Sequence, residues 1–259
     1  GENTDGFNEG DRVWYAGDLT RQGSNAEYQA VDHHLVAKAP ASLNDTDAAA
    51  LPLTSLTAWE LLFDRFGITS ESTGALLIIG AAGGVGSMMV QLAKQLTQLT
   101  VVATASRPES IDWVKYMGAD HVINHHESLA DQLAELKLQP SFVASLTATE
   151  QHQAAIAEVI APQGKLGLID DPMEFDIRLF KQKSIAIHWE FMYTRSLFTT
   201  DDIAKQGEIL QQVAALVDSG KIKTTATNMV GKLNAENMRL AHQQLESGST
   251  IGKWVLEGF

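Results

Sequence analysis

Gly74-Ala-Leu-Leu-Ile-Ile-Gly80-Ala-Ala-Gly83-Gly84-Val85-Gly86 is the stretch around which the rest of the chain is arranged. Leu76 to Ile79 is an apolar run without polar alternation, the pattern of a parallel strand buried on both faces. A glycine-rich turn follows, and then a helical spacing that sets Val85, Met88, Met89, Leu92 and Leu96 on one face. Strand, glycine turn and helix are the context a dinucleotide fingerprint requires. The backbone must come close to a pyrophosphate, which is held by orphan N–H groups and the positive end of the helix dipole. Gly80, Gly83, Gly84, Val85 and Gly86 are therefore candidates to line a cofactor. The register departs from the common fingerprint, because Ala81 replaces its first glycine and Gly84 is added. A tight strand-to-helix turn with no ligand is the plainer alternative.

Downstream of this turn the pattern alternates. Strands are expected at 100–104, 121–123, 142–146, 165–169 and 184–191, and helices at 109–117, 129–136, 150–160 and 201–218. Strands separated by helices imply right-handed crossovers and an α/β doubly wound parallel sheet, a Rossmann domain of six strands. Upstream, 45–62 reads as helix interrupted at Pro52. Residues 12–16, 26–31 and 35–37 carry strand signals between glycine turns, and 224–230 and 253–256 carry them again beyond Gly220, around a helix at 234–245. The few short strands of 1–44 cannot bury a core alone, so the C-terminal segment is assigned to the same β domain.

Composition narrows the function. The 259 residues, 44% of them hydrophobic, suffice for real cores in one large domain or two ordinary ones. No apolar run approaches about 20 residues, and no basic and apolar leader pattern is present, so a soluble cytoplasmic protein with no membrane partner is expected. With no cysteine there is no disulfide, thiolate catalysis or thiolate zinc site. A net charge of −13 would repel a phosphate backbone, which argues against nucleic acid and fits solubility. The chain opens Gly1-Glu-Asn-Thr-Asp without an initiator methionine and enters at once what reads as the middle of a β domain. An N-terminal part is therefore expected to be missing.

Several motifs occur in one order: Asn25-Ala-Glu-Tyr, Pro52-Leu-Thr-Ser-Leu-Thr-Ala-Trp, the Gly80 to Gly86 turn, Gly118-Ala-Asp-His-Val-Ile-Asn, Ala161-Pro-Gln-Gly-Lys and Ile251-Gly-Lys-Trp-Val-Leu. That order resembles the medium-chain dehydrogenase/reductase superfamily, specifically its zinc-free quinone oxidoreductase branch and the zinc-type alcohol dehydrogenase-like proteins near it. The resemblance implies a GroES-like catalytic domain split around a cofactor domain. The expected boundaries are 1–44 for a partial GroES-like part, 45–223 for the NADPH-binding Rossmann domain, and 224–259 for the return to the GroES-like domain.

Site residues follow from both sources. Ala105-Ser106-Arg107 occupies the end of the second Rossmann strand, where an NAD enzyme would hold an acid for the ribose. Arg107 with Ser106 can instead bind a 2′-phosphate by charge-assisted hydrogen bonds, which implies NADPH; a surface arginine with Ser106 capping a helix is the alternative. Thr147, Asp170, Phe191 and Met192 fall at carboxyl ends of strands, where open α/β sheets bind ligands. By resemblance, Thr57 lies near the nicotinamide, Lys253 lies near the pyrophosphate, and His125 replaces a tyrosine near the cofactor phosphate.

No zinc is expected, since Leu53 stands where zinc-dependent relatives hold a cysteine ligand. The pairs His33-His34 and His125-His126 are read as solvated or core residues, because neighbours on an extended segment face opposite ways. Ile185, Ile187, Trp189 and Phe191 share one face of an expected edge strand, which a twin would cover in a homodimer. The reaction implied is hydride transfer from NADPH to a quinone or polarised alkene, a small-molecule electrophile. A zinc-free alcohol or aldehyde reductase and a non-catalytic NADPH-binding protein are the alternatives.

Overall fold

The computed structural model describes Thr4 and residues 6–259. In chain order its elements are β1 (Val13–Trp14), β2 (Ala37–Lys38), α1 (Asp45–Ala49), α2 (Pro52–Trp59), β3 (Ala75–Ile79), α3 (Gly84–Leu96), β4 (Thr100–Thr104), α4 (Pro108–Met117) and β5 (His121–Ile123). There follow α5 (Leu129–Glu135), β6 (Pro140–Ser145), α6 (Thr149–Val159), β7 (Lys165–Leu168), β8 (Ala186–Trp189), α7 (Thr194–Leu197), α8 (Lys205–Asp218), β9 (Ala226–Gly231), α9 (Ala235–Glu246) and β10 (Lys253–Leu256). The residues form two compact units: 57–190, and the described residues up to Leu56 together with Phe191–Phe259.

The 57–190 unit is built on a six-stranded parallel sheet in the order β5-β4-β3-β6-β7-β8. The sequence order reverses between β3 and β6, which makes the carboxyl ends of these strands the ligand crevice of a doubly wound fold. Every residue of β3 is buried, as its uninterrupted apolar run requires. Leu77, Ile79, Val102, Val143 and Leu166 pack with Leu129, Leu133, Ile156 and Val159 of α5 and α6 on one face. Each such fully buried side chain contributes roughly 1.5–3 kcal/mol.

α3 is buried continuously from Gly86 to Ala93, not along a single stripe. Its polar members are absorbed locally: Ser87 Oγ donates to the Gly83 carbonyl at 2.7 Å and accepts from Trp113 Nε1 at 2.8 Å, and Gln91 Nε2 donates to the Ser87 carbonyl at 3.3 Å. α2 runs on as a wider π-helical turn, Glu60–Arg65. Arg65 Nε donates to Glu190 Oε2 at 2.8 Å, and its Nη2 lies 3.8 Å from Glu60 Oε2. The turn is thereby tied to the end of β8 through two fully buried carboxylates.

In the other unit β1 pairs antiparallel with β2, and β9 pairs parallel with β10. Arg12 braces the first pair, its Nε and Nη2 both donating to Asp45 Oδ1 at 2.9 and 2.6 Å. The strand expected at 26–31 does not form, and Tyr28 there is exposed. Its alternation of residue types has no neighbouring strand among the described residues to take up its N–H and C=O groups. The strand expected at 35–37 begins only at Ala37, because residues His33–Leu35 wind into a 3-10 turn capped by Asp32.

The helix expected over 201–218 starts at Lys205 and belongs to this unit, not to the dinucleotide domain. Its docking depends on Gly207, where a Cβ would sit 2.7 Å from the His34 carbonyl oxygen and 2.9 Å from that of Val36. At the far end Asp218 accepts from the amides of Ser42 at 2.8 Å and Ala41 at 3.2 Å. Gly207→Ala therefore tests the packing against helix propensity. Alanine in a helix gains about 1 kcal/mol, but the obstructing atoms are backbone carbonyls that cannot swing away. A net loss of about 1–3 kcal/mol in urea unfolding is expected; a gain would show that α8 is free to shift.

Candidate dinucleotide-binding site

The fingerprint turn is shaped by what its glycines leave out. Gly80 ends β3 with φ +80°, a conformation that favours glycine, and a Cβ there would meet Thr147 Cγ2 at 2.8 Å. At Gly86 a Cβ would lie 2.5 Å from both the Cα and the carbonyl oxygen of Ala81, so the first turn of α3 rests directly on the strand-to-helix backbone. The Gly80 N–H donates to the buried Thr104 Oγ1 at 3.1 Å, which pins the turn to the end of β4. Gly83 caps α3 with its backbone alone, and no side chain accepts from the first amides. Gly84 and Val85, both half-buried, are the first helical residues, so their amides belong to the positive end of a helix of 13 residues. An anion of pyrophosphate size fits the chemistry of this end.

β4 ends beside it. Ser106 is half-buried and Arg107 exposed. The alternative in which Ser106 caps α4 is displaced by one residue: Arg107 is the cap position, with Pro108 first in the helix. Ser110 Oγ accepts from the Arg107 N–H at 3.2 Å and donates to its carbonyl at 2.8 Å. The Ser106 hydroxyl is thus not consumed as the cap, and Arg107 presents a cation where α4 begins.

Beyond β5 lies a group the sequence disclosed only in part. His125 and His126 sit in a turn, ring centroids 4.3 Å apart, and His125 lies 6.1 Å edge-on from His152 in the first turn of α6. His152 is missed by local reading. Only the sheet order, which sets α5 beside α6, carries the loop after β5 toward α6, and spacing along the chain holds no trace of that.

The other candidates fall in different places. Thr147 overhangs Gly80, as described. Asp170, after β7, has both oxygens engaged: Oδ2 accepts from the Thr149 amide at 2.9 Å and Oδ1 from Thr149 Oγ1 at 2.5 Å. It caps α6, a role that compensates for Ala148, which occupies the cap position with φ +52°. Thr57 is buried in α2. Phe191, Met192 and Lys253 belong to the other unit. There Phe191 is exposed and Met192 buried, the latter accepting through its carbonyl from Gln206 Nε2. Lys253 lies on β10, where burial pushes its ammonium below the usual lysine range.

A parallel six-stranded sheet with a glycine-rich turn at its switch point defines a Rossmann-type unit. Residues 117–256 match the family model described as zinc-binding dehydrogenase. A zinc-type alcohol dehydrogenase-like protein of Staphylococcus epidermidis is 40% identical over 262 residues, covering 99% of this chain and 78% of that protein. A Rhizobium etli protein described as a zinc-dependent alcohol dehydrogenase is 51% identical, with a TM-score of 0.93 over 98% of this chain and 75% of its own. A mycobacterial protein solved in complex with NADPH is 25% identical, with a TM-score of 0.78 over 97% of this chain and 75% of its own. The chain belongs to the zinc-type alcohol dehydrogenase-like family of the medium-chain dehydrogenase/reductase superfamily.

The histidine group makes a prediction about acid. Burial, then the neighbouring His126, His152 and Arg107, holds the His125 imidazole below its ordinary 6.5. Burial and then His126 do the same to His152, against a smaller opposing pull from Asp170. As pH falls from 6.5 the unfolded chain takes up protons that the folded one resists, so stability present above 6.5 is lost below it. Carboxylates such as Asp11 and Asp32, lowered from 3.8, titrate outside this window. His152→Gln is expected to shrink the fall in urea midpoint between about pH 7.5 and about pH 5.5. An unchanged fall would remove His152 from the group.

Proposed function

We propose that this chain is an NADPH-dependent reductase of quinones or other polarised alkenes that works without zinc. The observation that carries the reading is the cation at the end of β4. Arg107 heads α4 beside an uncommitted Ser106 hydroxyl, and no acid stands at 105–107 to claim a ribose and repel a 2′-phosphate. The NADPH complex of the mycobacterial relative supports the same cofactor. When bound, the nicotinamide supplies the hydride. The chain's own part is positioning: the amides of Gly84, Val85 and Gly86 hold the pyrophosphate, Ser106 and Arg107 the 2′-phosphate, His125 lies toward the same phosphate, and Thr57 orients the nicotinamide.

The family's zinc does not fit the residues present. The chain has no cysteine, and Leu53 holds the place of a ligand. A metal Lewis acid is worth several kcal/mol to a simple carbonyl, whereas a conjugated acceptor spreads the developing charge into itself and needs only hydrogen bonds. The described residues include no helix long and apolar enough to cross a membrane. A cytoplasmic enzyme acting on a small electrophile is the setting we propose.

Arg107→Asp should weaken NADPH at least about tenfold, the scale of one lost charge-assisted hydrogen bond, while sparing NADH. Fluorescence titration of both cofactors reads this, and equal or tighter NADH binding by the parent protein would overturn the cofactor assignment. In a chelator-treated assay with NADPH, quinones and enones should be reduced in preference to aldehydes. Preferential aldehyde turnover would favour an alcohol or aldehyde reductase, and tight NADPH binding without oxidation by any acceptor would favour a binding protein.

Assembly is part of the reading. β8 is the outer strand of the sheet, and its Ala186 and Trp189 are exposed. An uncovered apolar edge invites pairing, and a twin β8 across a two-fold axis would cover it in a homodimer. Light scattering at micromolar concentration should give a dimer, and the exposed-edge variant Trp189→Lys a monomer. A monomeric parent protein would contradict this.

A further inference from the structure

The side chains of His33 and His34 have no role in the function proposed above; they belong to the unit that contains α8, and their structure differs from the extended segment that the sequence suggested. Asp32 caps a single 3-10 turn, His33–Leu35, in which successive residues are about 120° apart, not opposite. Both imidazoles consequently meet one carboxylate oxygen: Asp32 Oδ1 is 2.8 Å from His34 Nδ1 and 3.5 Å from His33 Nδ1. The ring centroids are 3.9 Å apart, and one ligand atom from each of the three residues lies within 4.8 Å of the others.

We propose that Asp32, His33 and His34 form a site for a late first-row divalent cation such as Zn²⁺. Ligands about 2.0–2.2 Å from a metal are spaced by about 3.0–3.5 Å along a tetrahedral or octahedral edge. The observed oxygen-to-nitrogen distances of 2.8 and 3.5 Å need little adjustment to reach that spacing. Two imidazoles with one carboxylate suit zinc, nickel or copper, and suit magnesium and calcium poorly. All three side chains keep part of their surface in solvent, so an ion can enter and hold water in its remaining positions.

The turn is also held in place before any ion arrives. Leu35 beneath it is buried, and α8 presses against the carbonyls of His34 and Val36 at Gly207. The His34 amide donates to Asp32 Oδ1 at 2.9 Å, which fixes the carboxylate beside both rings. A bound ion would replace the imidazole contacts to that oxygen and tie the cap to the turn. It would have no part in hydride transfer.

Isothermal titration of the untagged chain with zinc chloride tests the site. One ion per chain with a micromolar dissociation constant is expected, together with a rise in melting temperature. His33→Gln and His34→Gln keep the Asp32 cap and should each abolish saturable binding, with circular dichroism unchanged. The double variant His125→Gln, His126→Gln should bind as the parent does. Absence of saturable heat in the parent, or parent-like binding by both single variants, would overturn the site. Loss of binding in the 125/126 pair alone would move it to the other histidines and overturn it equally.

Discussion

The contact between Gly86 and the backbone of Ala81 is the constraint on which the parallel-sheet unit of this protein depends. With no side chain at 86, α3 starts hard against the end of β3 and aims its first amides into the crevice where the strand order reverses. A methyl group at 2.5 Å from a peptide would push that helix out and carry Ser87 with it, and Ser87 is the hinge between the turn and Trp113 of α4. The same turn is fixed from the other side by the Gly80 N–H on Thr104. Turn, β4 end and α4 are therefore one packed object, and the position of Arg107 follows from the position of the glycines.

That coupling ties the strand-to-helix turn to the end of the next strand. In the proposed function the turn would read what all dinucleotides share, because backbone amides and a helix dipole respond only to charge and closeness. Under the proposed function, discrimination between cofactors would fall to the next strand end, where Ser106 and Arg107 stand in place of an acid. Asp170, at the end of β7, accepts from the amide and the hydroxyl of Thr149. The αL backbone of Ala148 leaves the start of α6 without a side-chain cap of its own, and Asp170 supplies one.

Much of the sheet was legible from residue pattern alone. β3, β4 and β5 begin and end within a residue of their expected bounds, since fully buried parallel strands announce themselves as short apolar runs between breakers. What escaped depends on partners distant in sequence. Residues 26–31 alternate like a strand but have no ladder to join, and 33–35 coil because Asp32 offers a cap that outbids a two-residue strand. The π turn at Glu60–Arg65 and its two buried carboxylates form around Arg65, a pairing across 125 positions that no local spacing reveals. The unit in which α8 falls is hidden for the same reason: its amphipathic pattern states that it packs, while Gly207 decides against what.

The claim that the glycine turn and the β4 end together hold a nicotinamide dinucleotide is tested most directly by hydrogen exchange with and without saturating NADPH. Slowed exchange is predicted at residues 80–87 and 104–110, where amides would lie under the pyrophosphate and the 2′-phosphate, with α9 unaffected. No saturable binding, or binding that leaves both segments exchanging as before, would contradict the account.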